Sequence, residues 1–222
     1  MQQKTEVKWD RIIAALEQWR GGFNDPSVTL VAERYRRDPW AVLVSTILSL
    51  RTKDEVTVEA SKRLLAKAPG PAELAALRED QIARLAYPAG FYRTKAASLK
   101  KIAAILLERY EGTVPADMDA LLALPGVGRK TANLVLIEAF DLPGICVDVH
   151  VHRISNRRGW VSTKTPEETE MTLREILPPQ YWKGINALLV LYGQKLCRPI
   201  SPFCSRCVIT SGCKRIGVER TR

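Results

Sequence analysis

One lysine and one aspartate are the side chains in this sequence that are best suited to covalent chemistry. Lys130 follows Arg129 in LPGVGRKTA, where two glycines precede a predicted helix start. The positive end of a helix and a neighbouring cation both favour the neutral amine, which is the nucleophilic form of lysine. Asp148 lies eighteen residues further on, between valines in VDVHVHR. A carboxylate beside an amine can activate it and stabilise developing positive charge, so the two residues form a candidate catalytic pair.

Both residues also have simpler interpretations, which the sequence leaves open. Lys130 could be an exposed first-turn lysine that only contacts a phosphate, and Asp148 could be only a helix N-cap. His150 and His152 follow Asp148 directly. Histidine is a frequent catalyst, but packing or a phosphate contact is the simpler expectation for these two.

The segment from Leu124 to Gly128 predicts a tight turn between two helices. Glycines permit unusual backbone angles and a close approach of a ligand to the main chain. The N–H groups of Gly126, Val127 and Gly128, with those of the new helix, would then point at one anion. Arg129 would reinforce that contact, and a DNA phosphate is the expected anion. A plain connection between two helices is the alternative.

Four cysteines near the C-terminal end indicate a metal site. Their spacing is C-x6-C-x2-C-x5-C, formed by Cys197, Cys204, Cys207 and Cys213. Structural zinc and an iron–sulfur cluster both use four thiolates, and spacing alone does not choose between them. Cys146 lies between two apolar residues and is expected to be an ordinary buried thiol.

Composition and charge limit the possible partners. The chain has 222 residues, 46% of them hydrophobic, and a formal net charge of +10. This excess of positive charge indicates a polyanionic partner, either nucleic acid or an acidic membrane surface. The alternative is a soluble basic protein without such a partner. No segment approaches the roughly 20 apolar residues of a membrane span. The start, MQQKTEVKWD, has no apolar signal core, so we expect a cytoplasmic or nucleoid-associated protein with reduced thiols.

The periodicity predicts an all-α protein of about ten helices. Strand signals are nearly absent, because there are no long alternating runs and no hairpin turns of the Asn-Gly type. Asp38 and Pro39 predict the cap and first residue of an apolar, central helix. A capping box opens another helix at Thr165. The last long helix is expected at Trp182 to Leu196.

Three motifs in this order, LPGVGRKTAN, VDVHVHRISNR and the cysteine tail, resemble the endonuclease III family of helix–hairpin–helix DNA glycosylases. The resemblance runs from about Pro39 to Cys213. It implies two helical domains that flank a DNA-binding cleft. The first is a six-helix domain with the hairpin, at 30–142, and the second combines 1–29 with 143–222. It also implies that the four cysteines bind a [4Fe–4S] cluster.

The resemblance assigns roles to single residues. Lys130 matches the nucleophilic lysine of the family, and Asp148 matches its catalytic aspartate. Arg51 stands where many members have a glutamine that fills the gap left by a flipped base. Phe91 stands at the position of an apolar wedge that is often leucine. We also expect His150 to contact DNA.

The implied activity is that of a glycosylase combined with an abasic-site lyase. Its expected partner is double-stranded DNA that carries a damaged pyrimidine or an abasic site, and the expected state is a monomer. Two other functions remain possible: a mismatch glycosylase that acts on thymine or uracil, and a non-catalytic DNA-binding or redox-sensing protein that carries the cluster. Lys130 argues against the first, because thymine-mismatch relatives place tyrosine there.

Overall fold

A computed structural model describes residues 7–21, 23 and 25–222, and within these ranges the chain is helical with no β-strand. The prediction of an all-α protein is confirmed, and the described ranges hold twelve α-helices rather than about ten. Two short 3-10 helices, Pro179–Tyr181 and Cys204–Arg206, accompany them. The α-helices are α1 Trp9–Arg20, α2 Ser27–Arg34, α3 Pro39–Ser49, α4 Asp54–Lys67, α5 Pro71–Ala76, α6 Glu79–Ala86, α7 Tyr92–Arg109, α8 Met118–Leu122, α9 Arg129–Phe140, α10 Val149–Arg158, α11 Pro166–Ile176 and α12 Trp182–Lys195.

The helices form two compact units. One unit is Asp25–Gly144, which contains α2 to α9. The other combines the described residues of Met1–Asn24 with Ile145–Arg222, and so contains α1 and α10 to α12. The expected domain 30–142 falls within the first of these units, and each unit has a hydrophobic core of its own.

The first unit is built around α3. Its side chains from Trp40 to Leu48 are all buried, because α2, α4, α7 and α9 pack around it. Asp38 caps this helix as predicted: its Oδ1 accepts a hydrogen bond from the Ala41 N–H at 2.8 Å, and Pro39 is the first helical residue. In the part of the chain that the structure describes, no helix has both the length and the apolar character to cross a membrane.

The second unit packs α12 against α1 and α10. Leu16, Ile154, Leu189 and Tyr192 are almost fully buried at its centre. The Trp19 ring meets the Tyr192 ring edge-on, with 5.0 Å between centroids, a geometry that aromatic pairs favour. This core fixes α10 and α12, the helices on which the predicted site residues of this unit depend.

The sequence signals for single elements of the second unit were also correct. Thr165 caps α11 by accepting a bond from the Glu168 N–H at 3.2 Å, which is one half of the predicted capping box. The Glu168 side chain accepts from the Lys164 N–H at 2.8 Å and not from the Thr165 N–H, so the reciprocal half of the box differs from the prediction. The last long helix begins at Trp182 and ends at Lys195, one residue before the expected end. Cys146 is fully buried, as its apolar neighbours indicated.

Replacement of Asp38 by alanine should lower the free energy of unfolding by about 1 kcal/mol, because the Ala41 N–H loses its acceptor at the start of the central helix. Urea denaturation of the two proteins measures this difference. Asp38→Asn keeps an acceptor oxygen and should lose much less. Equal losses in the two variants would contradict the role of the cap.

Candidate functional site

The turn between α8 and α9 has the hairpin geometry that the sequence predicts. The Val127 N–H donates to the Leu124 carbonyl oxygen at 3.1 Å, and the buried Val127 side chain anchors the turn. Gly126 has a φ of +82°, a left-handed conformation that favours glycine. Gly128 is the N-cap of α9, in an extended conformation, so the capping residue offers no side-chain acceptor to the first turn. Such a helix start suits an external anion.

Lys130 lies in the first turn of α9, directly after Arg129, and both side chains are partly buried. The following residues, Thr131, Ala132 and Asn133, are buried in the first unit. Packing therefore fixes the helix from which Lys130 projects, and the sequence places a cation at the helix end that least favours one.

Asp148 is the N-cap of α10 in the second unit. Its Oδ1 accepts from the His150 N–H at 2.8 Å and from the Val151 N–H at 2.9 Å. The cap interpretation of Asp148 is thus correct, and it is compatible with a chemical role, because both bonds use the same oxygen. The two bonds fix the orientation of the carboxyl group.

His150 packs against α12 with Arg153. The His150 Nδ1 lies 3.1 Å from an Arg153 guanidinium nitrogen, and a Cβ atom on Gly193 would approach the same Nδ1 to 2.4 Å. The same guanidinium nitrogen also donates to the Gly193 and Cys197 carbonyl oxygens, at 3.2 and 2.9 Å. Burial lowers the pKa of Arg153, while the nearby Cys197 opposes that shift. The sequence analysis missed this link from α10 to the first cysteine.

The four predicted ligand cysteines line one cavity in the second unit. Cys197, Cys204, Cys207 and Cys213 are all partly buried, and the cavity has an empty volume of about 420 Å³, part of it open to solvent. As the side chains of the described residues are placed, no three His, Cys, Asp or Glu residues are grouped around the position of a single metal ion. In a four-iron cluster each cysteine binds a different iron, so the thiols need only surround a common space, as they do here.

Two buried residues donate to the cysteine sulfurs. Arg157 donates to Cys197 Sγ at 3.4 Å and to the carbonyl oxygens of Arg198 and Pro199 at 2.7 and 2.9 Å. The Tyr192 hydroxyl donates to Cys207 Sγ at 3.0 Å. Burial and this contact raise the pKa of Tyr192, which keeps the hydroxyl protonated as a donor. These donors suit a site that carries negative charge on its sulfurs.

Arg51 and Phe91, forty residues apart in sequence, meet on the first unit. Arg51 follows the end of α3, and Phe91 is the N-cap of α7. The Arg51 guanidinium lies 5.6 Å from the centre of the Phe91 ring, which is 62% exposed. The Phe91 side chain is therefore not part of the hydrophobic core. A large apolar ring held outside the core is available to contact a ligand.

Lys95 lies beneath this pair, and sequence reasoning missed it. Its side chain is only 6% exposed, and its Nζ donates to the carbonyl oxygens of Leu48 and Leu50 and to Thr52 Oγ1. Burial lowers the pKa of Lys95 to about 8. The sequence nevertheless contains a signal for the burial of Lys95. This residue precedes Leu99 by four positions and Ile102 by seven, so it lies on the apolar face of α7.

Comparison with known proteins agrees with this architecture. Residues 44–179 match the HhH-GPD superfamily of base excision DNA repair proteins. The chain is 48% identical to endonuclease III of Thermotoga maritima, over 80% of this chain and 83% of that protein. It is 44% identical to endonuclease III-like protein 1 of Mus musculus, over 85% of this chain and 62% of that longer protein. A solved structure of a trapped covalent intermediate between endonuclease III and DNA matches with a TM-score of 0.81 at 33% identity, covering 94% of this chain and 97% of the other.

The chain therefore belongs to the HhH-GPD superfamily of base excision DNA repair proteins and, within it, to the endonuclease III family. The family resemblance that the three sequence motifs indicate is confirmed.

The buried amine of Lys95 should make the stability of the protein depend on pH. Its pKa is about 8 in the folded chain and 10.5 in an exposed lysine, so between these values the unfolded chain binds more protons. The contribution of Lys95 to the free energy of unfolding should therefore rise with pH across this window, by up to about 3 kcal/mol. Urea denaturation of the protein and of Lys95→Met, at several pH values, measures it. A difference between the two proteins that stays constant with pH would contradict this assignment.

Proposed function

We propose that this protein is a bifunctional DNA glycosylase and abasic-site lyase of base excision repair, which removes oxidised pyrimidines from double-stranded DNA. The observation that carries the proposal is the first turn of α9, where the glycine-capped hairpin presents Lys130. Membership in the endonuclease III family and similarity to a covalent complex of endonuclease III with DNA support it.

The hairpin would bind the DNA backbone. Gly126, Val127 and Gly128 supply main-chain N–H groups, and Arg129 adds a charged donor for the same phosphate. The damaged nucleotide must leave the helical stack, because the sugar carbon C1′ is out of reach inside a duplex. Arg51 would fill the gap that the flipped base leaves, and the exposed Phe91 ring would stack against the opposite strand. We include His150 as a further phosphate contact.

Lys130 would carry the covalent step. Its neutral amine attacks C1′, the bond from C1′ to the base breaks, and the base leaves as an anion that takes a proton from water. Asp148 accepts the proton that the amine loses and stabilises the positive charge on the sugar through Oδ2. That proton then passes to O4′ as the bond from C1′ to O4′ breaks, which leaves the ring-opened sugar joined to Lys130 as a Schiff base. Loss of a proton from C2′ breaks the bond from C3′ to its oxygen, which nicks the strand, and water releases the lysine.

The cavity formed by Cys197, Cys204, Cys207 and Cys213 would hold a [4Fe–4S] cluster. The fit rests on four thiols around one space and on donors from Arg157 and Tyr192 to the sulfurs. The cluster would serve as a structural cross-link for the tail after α12, which has only one short 3-10 helix. We further propose that the protein acts as a monomer on nucleoid DNA in the cytoplasm.

Borohydride trapping on duplex DNA with an abasic site tests the lyase. The unsubstituted protein should form a covalent adduct, because reduction fixes the Schiff base, and Lys130→Ala should form none. Arg129→Ala is the matched control: it removes the adjacent cation of the same helical turn and should weaken DNA binding while the adduct still forms. DNA binding without an adduct in the unsubstituted protein would favour a non-catalytic DNA-binding protein. Base release from mismatches without an adduct would favour a mismatch glycosylase.

The cluster gives a second prediction. The purified protein should absorb at about 400 nm and contain iron, as four-cysteine iron–sulfur proteins do. Cys204→Ser should reduce both the absorbance and the iron content, because one ligand is lost. Cys146→Ala, which removes a buried thiol away from the cavity, should leave both unchanged. Stoichiometric zinc with no absorbance would instead establish a zinc site.

A further inference from the structure

Two loops of the first unit present the exposed pair Arg51 and Phe91. Both residues have a positive φ, 52° and 55°, a conformation that residues other than glycine adopt rarely. The loops also interlock, because a Cβ atom on Gly90 would lie 2.4 Å from the Arg51 carbonyl oxygen. Something in the surrounding structure must therefore hold both backbones in place.

Lys95 supplies that restraint on the first loop. An ammonium group has three N–H donors, and here all three have acceptors on the chain around Arg51. The distances are 2.7 Å to the Leu48 carbonyl oxygen, 2.6 Å to that of Leu50 and 2.9 Å to Thr52 Oγ1. The two carbonyl groups belong to the end of α3 and the residue after it, where a cation also satisfies the negative end of the helix.

Thr52 extends the restraint to the second loop. Its Oγ1, which accepts from Lys95, also accepts from the Gly90 N–H at 3.0 Å. Lys95, Thr52 and Gly90 thus form one chain of hydrogen bonds that connects α7 to the backbone beside both exposed residues. Phe91 follows Gly90 directly, and its carbonyl oxygen accepts from the Lys95 N–H at 3.0 Å.

A buried ammonium group is a costly way to fill this space. Its three acceptors are neutral oxygens, and burial lowers the pKa of Lys95 to about 8. A methionine side chain would occupy a similar volume without an ion to desolvate. The cost indicates that the exact position of the loops matters to function, since packing alone does not require a charge there.

We propose that Lys95 is a positioning residue for DNA opening, which holds Arg51 and Phe91 in the geometry that replaces the flipped nucleotide and reads the opposite base. The inference rests on the proposed function, because that function assigns Arg51 and Phe91 to the opened duplex. Lys95 acts through these two residues and has no contact of its own with the substrate. Its influence should therefore be confined to reactions that need an opposite strand.

The test compares Lys95→Met with Lys100→Met. Lys100 is on the same helix, and its Nζ likewise donates to two carbonyl oxygens, those of Ala75 and Leu77, which lie away from the Arg51 loop. Single-turnover rates are measured for base excision from duplex DNA and for strand cleavage at an abasic site in single-stranded DNA. Lys95→Met should lower the ratio of the first rate to the second by roughly tenfold, with weaker dependence on the opposite base. Lys100→Met should keep the ratio of the unsubstituted protein, and an equal ratio in both variants overturns the proposal.

Thr52→Val is a second test that does not depend on how Lys95→Met folds. It keeps the shape of the side chain and the ammonium but breaks the connection to Gly90, so it should lower the same ratio. Lys95→Met added to the double variant Arg51→Ala with Phe91→Ala should lower the ratio no further, because Lys95 acts through these two side chains. A further loss in that triple variant would show that Lys95 acts independently of Arg51 and Phe91 and would overturn the proposal.

A binding measurement separates failure of this inference from failure of the proposed function. 2-Aminopurine is placed opposite a non-cleavable tetrahydrofuran abasic analogue in duplex DNA, and its fluorescence reports how the opposite base is stacked. The unsubstituted protein and Lys100→Met should change the fluorescence alike, and Lys95→Met should produce a smaller change. These fluorescence changes are expected whether or not the protein cleaves DNA. Absence of base excision by the unsubstituted protein would contradict the proposed function but would not bear on the role of Lys95. Equal fluorescence changes in all three proteins contradict the role of Lys95.

Discussion

The polarity of helix N-termini is the constraint on which the candidate chemistry depends. The N-terminal end of a helix carries unpaired N–H groups and partial positive charge, which attract anions and repel cations. Asp148 uses this end in the favourable sense, because its carboxyl group caps α10 and is oriented by two main-chain donors. Lys130 is in the opposite situation, because it places a cationic side chain at the N-terminal end of α9, whose N-cap is a glycine. The same element of secondary structure thus orients a carboxyl group in one unit and carries a lysine in its first turn in the other.

Buried and partly buried cations donate hydrogen bonds to main-chain carbonyl oxygens in both units. Lys95 satisfies the end of α3, and Arg153 satisfies the end of α12. Arg157 and Arg158 do the same for the segment that carries the cysteines, by donating to Arg198, Pro199 and Ser211. Irregular segments have carbonyl groups that no helix or sheet pairs, and long cationic side chains can reach them from a neighbouring helix. Part of the basic character of the chain is therefore structural and is not directed at nucleic acid.

Local signals made much of the fold and site predictable. The cap at Asp38, the capping box at Thr165 and the glycine turn before α9 each depend on a few adjacent residues, so the sequence displays them directly. Lys95 and Tyr192 were missed because their partners lie 43 to 47 and 15 residues away, and tertiary packing decides which atoms meet. Arg51 and Phe91 were selected only through family resemblance, since nothing in their local sequence shows that the two side chains meet.

The close approach of Gly90 to the Arg51 carbonyl oxygen has a consequence for how such a protein can diversify. The main chain at Gly90 tolerates no added side-chain atom. The side chains of Arg51 and Phe91, by contrast, are exposed and contribute nothing to the hydrophobic core. Exchange of the Arg51 or Phe91 side chain would leave the hydrophobic core unchanged, while mutation of Gly90 would disturb the backbone that holds the two loops together. Under the proposed function, single substitutions at Arg51 or Phe91 can then change lesion preference separately from the selection that maintains folding.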